Sequence, residues 1–446
     1  MISVSGIRGR IPSGLNIDNI VVFSKAFAGV IQGKKVVLAR DSRPSGQFIE
    51  SIATGVLLAY GIDVMSLGIV PTPTLKAVVN ATGSAGGVMI SASHNPIEWN
   101  AFKFVGKNGF FFDQNQIDSL LSLVENKDFK EPYFNPRSQV INSPNEHIQL
   151  HIDAVLKQVD VNKIKKSKFK VYIDAVNGAG SYVVPELLKR LGCIVYEKYC
   201  KPDGKFPRSP EPTKDSLKGS SKFMKSSGAD IGFALDPDAD RLVLISKTKG
   251  SISEEYTLPL SIQSVLPFTQ KTNVVINLSS SSMTEEVISP YNKKLFRSKV
   301  GEANVVQTML QKKAFFGGEG NGGVIDPQIN SYGRDSLSGI AHILNYLARE
   351  KLSLEQAIDK IPPYFMKKVS FPIQGKDIRS IIQKLKDHYA SFPLDETDGL
   401  RIQFDSSWLH IRPSNTEPII RIIGEAPKAS DLEILLSQTT SIIEKC

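Results

Sequence analysis

From Lys34 onward the chain alternates short aliphatic runs with longer stretches whose apolar side chains recur every three or four positions, a pattern that restricts it to an α/β architecture. Residues 35–39 read as a strand. Residues 46–60 read as a helix with Phe48, Ile49, Ile52, Ala53 and Val56 on one face, 63–67 as a second strand, Pro71-Thr-Pro73 as a turn and 75–81 as a helix. Gly87-Val-Met-Ile90 is then an apolar run of the kind buried on both faces of a sheet. A second unit opens near Asn145, after Ser143-Pro144, with a strand at 170–174. A third, from about Gly250, has strands at 273–277 and 314–317. The weak similarity of the three predicts one α/β fold used three times. From Pro362 the pattern changes to strands in succession, at 399–404, 408–412 and 419–424, closed by a helix over 428–445. The expected fold is therefore three similar α/β domains with mixed sheets (1–144, 145–249 and 250–362) and a C-terminal α+β domain (363–446).

A chain of 446 residues exceeds what one hydrophobic core supports. No apolar run approaches the roughly 18 residues of a membrane span, and the N-terminus lacks the basic and apolar regions of a signal peptide. Cys193, Cys200 and Cys446 are too few and too irregularly spaced for a disulfide framework or a zinc site, which fits a reducing cytoplasm. The formal charge of +9 is carried by dispersed lysines, and the densest run, 163–170, reads as a solvated connection. No nucleic-acid footprint emerges. Positive charge also suits a cleft that attracts a phosphorylated small molecule.

Four stretches carry chemistry. The strand at 87–90 runs into Ser91-Ala-Ser-His-Asn-Pro96, where Pro96 biases Asn95 away from the helical region and fixes a loop presenting Ser93. Another buried strand, 230–235, runs into Asp236-Pro-Asp-Ala-Asp-Arg241. Carboxylates at alternate positions, Asp236, Asp238 and Asp240, converge on a hard cation such as Mg²⁺. A rival reading makes Asp236 the nucleophile of a Mg²⁺-dependent phosphatase. An EF-hand is excluded, because Arg241 and Lys247 stand where that loop needs glycine and glutamate. In Gly317-Gly-Glu-Gly-Asn-Gly-Gly323 the glycines allow close backbone approach, and only Glu319 and Asn321 can discriminate among sugar hydroxyls. The same loop lacks the Gly-Lys-Ser/Thr of a nucleotide P-loop. Finally, Arg412-Pro-Ser-Asn-Thr-Glu-Pro418, with Arg421 beyond, supplies a planar fork, two hydroxyls and turn amides suited to gripping a phosphate.

Weaker signals remain. His147 and His151 share a helix face, but Ile148 stands where a zinc-protease motif needs glutamate, so they read as surface or interdomain residues. Gly178-Ala-Gly180 has Val183 in place of a third glycine and reads as a helix starting close to its sheet.

Together with Ser5-Gly-Ile-Arg-Gly9 these four stretches, in this order, resemble the α-D-phosphohexomutase superfamily, and the resemblance spans the chain. It implies four domains around a central cleft. It implies a phosphoryl group on Ser93, one Mg²⁺ held by Ser93, Asp236, Asp238 and Asp240, and Arg8, His94 and Arg241 around the phosphoserine. Lys103 is the implied general acid/base, Glu319 and Asn321 the sugar readers, and Arg412, Ser414, Asn415, Thr416 and Arg421 the distal phosphate site. The implied reaction interconverts hexose 6-phosphate and hexose 1-phosphate through a bisphosphate, with glucose or glucosamine 1,6-bisphosphate as intermediate or activator, in a cytoplasmic monomer or homodimer. Many bacterial members have a Glu-Met-Ser-Gly-His-like loop. Here Asn321 replaces its serine and Gly323 its histidine, a version similar to archaeal-type phosphoglucosamine mutases. That favours glucosamine phosphates over the alternatives, phosphomannomutase and phosphoglucomutase. A non-catalytic sugar-phosphate sensor is the reading from outside the enzymes.

Overall fold

The computed structural model describes residues 2–445 except 4, 5, 134, 143, 330, 331, 374–376 and 414–418. Its first sheet runs, in spatial order, Ile2–Ser3, Gly6–Arg10, Trp99–Gly106, Gly86–Ile90, Lys35–Arg40, Asp63–Ile69 and Val140–Asn142. The second runs Gly250–Ser251, Leu242–Ser246, Ile231–Leu235, Lys170–Asp174 and Ile194–Lys198. The third runs Lys294–Ser298, Asn273–Asn277, Phe316–Glu319 and Gly323–Ile325.

One motif recurs in all three. Three parallel strands lie side by side, and the last of them in sequence is followed by a short loop and an antiparallel return strand. In the first sheet the reversal joins Gly86–Ile90 to Trp99–Gly106, in the second Ile231–Leu235 to Leu242–Ser246, and in the third Phe316–Glu319 to Gly323–Ile325. The internal repeat is thus one of topology, and each copy presents a loop at the carboxyl end of a parallel strand, where open α/β sheets bind ligands.

The second and third units share one large apolar cluster with members from Ile152 to Ile361, and each has a smaller cluster of its own, around Tyr172 and Ile245 and around Val275 and Met309. In the first unit the sheet separates two apolar clusters, one around Phe27, Phe102 and Phe104 and one around Val37, Leu75 and Met89. The last unit is an antiparallel sheet, Phe365–Pro372, Ile419–Ala426, Trp408–Pro413, Leu400–Gln403 and Leu394–Asp395 in spatial order, with the helices Ile378–His388 and Ala429–Glu444 packed on it. Alternation along Trp408–Pro413 sends Leu409 and Ile411 into that core and His410 toward the third unit, where its Nδ1 lies 2.7 Å from the Ser279 hydroxyl.

Several expectations need correction. The helix Ser45–Ala59 buries Ile49, Ala53 and Leu57, a cleaner i, i+4, i+8 stripe than the face expected, and leaves Phe48 39% exposed. Pro71-Thr-Pro73 is no separate turn: Thr72–Ala81 is helical with proline in its first turn, where a missing N–H costs nothing. The lysine-rich run holds a helix, Val161–Ser167, capped by the Asp160 side chain and anchored by buried Ile164, before Lys170 opens a strand. The expected strand at 314–317 begins at Phe316 and extends through Glu319, so the glycine-rich stretch is a β-hairpin.

Candidate active site

The loop after Gly86–Ile90 holds Ser93 in a left-handed conformation, φ +50°, that side chains with a Cβ rarely adopt. Its neighbours over-determine that bend. Ser91 Oγ accepts from Ser93 N at 2.9 Å and donates to Asp41 Oδ2 at 2.6 Å. Arg43, fully buried and set over the Phe206 ring, pairs with Asp41 and donates to the Ser93 carbonyl at 2.8 Å and to that of Asn95. These groups fix the backbone so that Ser93 Oγ donates to Asp236 Oδ2 at 2.8 Å.

The acidic loop is fully buried at all three carboxylates. Asp236 Oδ1 accepts from the Asp240 and Arg241 amides at 3.2 Å each. Asp238 Oδ2 accepts from Lys103 Nζ and from Thr72 Oγ1, both at 2.6 Å, and Asp240 Oδ2 accepts from Arg334. Burial, with Asp240 and Asp238 beside it, pushes the Asp236 carboxyl well above the usual range. Burial also opposes charge on Asp238, but Lys103 and Thr72 outweigh it and hold that carboxyl well below its ordinary value.

Three carboxylate oxygens, one from each residue, lie within 4.8 Å of one another, and Asp238 Oδ1 and Asp240 Oδ1 are buried without a hydrogen-bond partner. A divalent cation fits this arrangement, since it takes hard oxygen ligands and relieves the like-charge repulsion that burial intensifies.

Above these loops lies a cavity of about 340 Å³ walled by all three α/β units. The first unit contributes Arg8, Ser93, His94, Lys103 and Phe111, the second Arg241, and the third 300–304, Glu319, Asn321 and Arg334. Register explains the first set: Arg8 pairs with Ala101 and Lys103 stands two residues on, so both project from one face of the sheet. Arg8 Nη1 donates to Asn95 Oδ1 at 2.6 Å. Burial, reinforced by Arg241 and Arg8, lowers the His94 pKa to about 2, so its ring is neutral at physiological pH. Glu319 is held by Asn277 Nδ2 at 2.8 Å, Gly301 N at 2.9 Å and Arg334 Nη1 at 3.0 Å, while Asn321 Oδ1 is buried without a partner.

Arg8, Ser93, His94, Lys103, Arg241, Glu319 and Asn321 therefore meet at one cavity, and the acidic triad is bonded to its wall through Ser93, Lys103 and Arg334. The fourth unit approaches its rim. Asp398 Oδ2 accepts from Val300 N at 2.9 Å, and Arg412 Nη2 lies 3.8 Å from Asp398 Oδ1. Arg421 stands opposite Arg412 in register. Ser414, Asn415 and Thr416 lie outside the described residues. Sequence reasoning missed Arg43, Asp41, Thr72, Glu302 and Arg334. The Asp41-Ser-Arg43 break directly after a buried strand was a usable signal for the first two; the others become visible only when the domains are packed. His151 is buried between units, in contact with Thr74 and Asp335, and Gly180 begins its helix against Leu235 and Ala239.

The chain is similar to known proteins along its whole length. Family models for the phosphoglucomutase/phosphomannomutase alpha/beta/alpha domains I, II and III match residues 2–131, 149–250 and 255–365, and the model for the C-terminal domain matches 368–439. A phosphoglucomutase/phosphomannomutase of Thermococcus kodakarensis is 33% identical over 99% of this chain and 97% of its own. A phosphoglucosamine/phosphogalactosamine mutase of Sulfurisphaera tokodaii is 32% identical over 100% and 99%. The solved structure of a phosphoglucomutase/phosphomannomutase family protein from Burkholderia thailandensis superposes with a TM-score of 0.84 at 24% identity, over 100% of this chain and 98% of that one. With all four domain families matched in order, the chain belongs to the α-D-phosphohexomutase superfamily and is an isomerase that moves a phosphoryl group within a hexose phosphate.

Proposed function

We propose that the protein interconverts glucosamine 6-phosphate and glucosamine 1-phosphate through a phosphoserine at 93 and a glucosamine bisphosphate. The observation that carries this reading is the bond from Ser93 Oγ to Asp236, which sets a hydroxyl beside the acidic triad on the wall of the cavity. The bond from phosphorus to Ser93 Oγ breaks as one forms to the sugar hydroxyl. Lys103 gives a proton to the departing serine oxygen and recovers one from the attacking hydroxyl. The bisphosphate turns end over end, and the reverse step returns the other phosphate to Ser93. Asp236, Asp238 and Asp240 would hold Mg²⁺, which offsets charge on the phosphoryl oxygens during transfer. Arg8 and Arg241 orient the transferring group, Glu319 and Asn321 read sugar hydroxyls, and Arg412 with Arg421 grips the phosphate that stays.

Both oxygens of Asp236 accept hydrogen bonds, from Ser93 and from two loop amides, which favours Ser93 over Asp236 as the group that carries phosphate. The Gly-Glu-Gly-Asn-Gly-Gly hairpin favours glucosamine, whereas the relatives named above divide between amino and neutral sugars. The test compares turnover of glucosamine, glucose, mannose and N-acetylglucosamine phosphates at one Mg²⁺ concentration, followed by mass mapping after incubation with glucose 1,6-bisphosphate. The reading expects the highest kcat/KM for glucosamine phosphate and the label on Ser93. A faster neutral sugar would overturn the substrate, and a label on Asp236 the mechanism.

A further inference from the structure

Gly323 and Arg334 occupy each other's space. Gly323 pairs with Glu319 across the glycine-rich hairpin, and a methyl built on it would run into Cγ and Cδ of Arg334. The φ of Gly323 lies outside the left-handed range, so the backbone there does not demand glycine; the arginine stem does. Lying in that groove, the guanidinium spans three carboxylates from two units. Nη1 donates to Glu319 Oε2 at 3.0 Å, Nη2 donates to Asp240, and Nε is 3.3 Å from Glu302 Oε2. The side chain is 12% exposed and forms part of the cavity wall. The residues that follow tie the same segment to the second unit at two further points, the acidic loop and the helix that carries His151. Ser336 Oγ donates to the Ala239 carbonyl at 2.7 Å, and Asp335 is paired with His151.

We propose that Arg334 is a positioning residue that joins Glu319 and Asp240 into one rigid unit, and that Gly323 is side-chain-free to admit it. The inference rests on the reading of Glu319 as a sugar reader and Asp240 as a cation ligand. A planar fork with several fixed donors can hold two carboxylates at a set separation, which a lysine ammonium does not. Asp240 keeps Oδ1 without a hydrogen-bond partner while Oδ2 is held, so the arginine orients a ligand rather than consuming it.

The experiment is a cycle of Arg334→Ala, Gly323→Ala and the double variant, with Arg334→Lys as a conservative control. It reads kcat and KM for glucosamine 6-phosphate, Mn²⁺ affinity by electron paramagnetic resonance without substrate, and thermal midpoint. Arg334→Ala is expected to lower kcat/KM about 10²-fold through misplacement of the sugar reader, and to weaken Mn²⁺ binding about tenfold. Arg334→Lys should restore less than half of either loss, and free guanidinium ion should raise the activity of Arg334→Ala several-fold. Gly323→Ala should reproduce the arginine defect, and adding it to Arg334→Ala should change kcat/KM by no more than about threefold, because the stem it displaces is already gone. Multiplying effects in the double variant would overturn the proposal, as would Mn²⁺ affinity and KM that stay at wild-type values in Arg334→Ala. Absence of mutase turnover in the wild type would instead overturn the functional reading, with the Mn²⁺ cycle still testing Arg334.

Discussion

Ser93 and Asp236 stand 143 residues apart in the chain and 2.8 Å apart in space, Oγ to Oδ2. The Asp236 side of that bond is not held by its own unit alone. Thr72 of the first unit binds the acidic loop twice, its amide to the Asp238 carbonyl at 3.0 Å and its hydroxyl to the Asp238 carboxylate. Arg334 and Ser336 of the third unit bind the loop from the other side. The acidic triplet is thus clamped by its neighbours in a state that opposes ionisation of Asp236.

That state predicts a trade between stability and cation binding. Asp236 has a folded-state pKa raised by burial and by Asp240 and Asp238, so its ionisation costs the metal-free protein stability as pH rises above the ordinary carboxylate range. Asp236→Asn removes the charge, and the amide can keep its oxygen toward the two loop N–H groups while Ser93 Oγ accepts from its nitrogen. The metal-free variant is expected to melt at or above the wild-type temperature, by up to a few degrees for about 1 kcal/mol. It should also lose the rise in melting temperature that Mg²⁺ gives the wild type. Thermal scans with and without Mg²⁺ read both effects, and an undiminished Mg²⁺ shift in the variant would refute the ligand assignment.

Much of this site was legible because it sits where buried strands stop. Gly86–Ile90 and Ile231–Leu235 are apolar throughout and end at polar loops, which marks Ser93 and the three alternating aspartates as groups delivered to strand ends, although the acidic loop by itself also suits a phosphatase nucleophile. What stayed hidden depends on distance in the chain. Thr72 bonds a residue 166 positions away, and nothing in its own helix marks it. Arg334 follows a stretch without apolar periodicity, and its importance lies in the absence of a side chain at Gly323. Phe365–Pro372 was missed as a strand because it is an edge strand with lysines in its middle, so it lacks the apolar run that identified the others.

The contact between the third and fourth units should depend on pH through His410. Nε2 is 2.6 Å from the Asp398 carbonyl, which can only accept, so Nε2 carries a proton; in the neutral ring Nδ1 then accepts from the Ser279 hydroxyl at 2.7 Å. Burial, with Arg412 and Arg401 nearby, lowers its pKa against the pull of Asp398. A folded-state pKa below the unfolded value of about 6.5 means the unfolded chain binds the proton first as pH falls. The stability due to neutral His410 is therefore complete above about pH 6.5 and declines below it. His410→Gln keeps a donor and an acceptor without the titration. Its urea midpoint is expected to fall less than that of the wild type between pH 7.5 and 5.5; parallel profiles would remove His410 from the account.

The fourth unit offers the sharpest separation of binding from folding. Arg412 and Arg421 are direct partners in the antiparallel pairing of Trp408–Pro413 with Ile419–Ala426, so two guanidinium groups share one face of the sheet. Like charges opposite one another disfavour a sheet pair, and Arg412 comes within 3.8 Å of Asp398. A doubly charged phosphate between them would turn the penalty into attraction. Arg412→Ala is accordingly expected to leave the free protein as stable as the wild type or slightly more so. It should raise KM for hexose phosphate at least about tenfold with a smaller effect on kcat, because a phosphate gripped there would be bound equally in the ground and transition states. The thermal shift given by hexose phosphate should shrink in step with KM. A variant that loses stability while KM and the ligand-induced shift stay unchanged would make this arginine a structural residue and move the distal phosphate elsewhere.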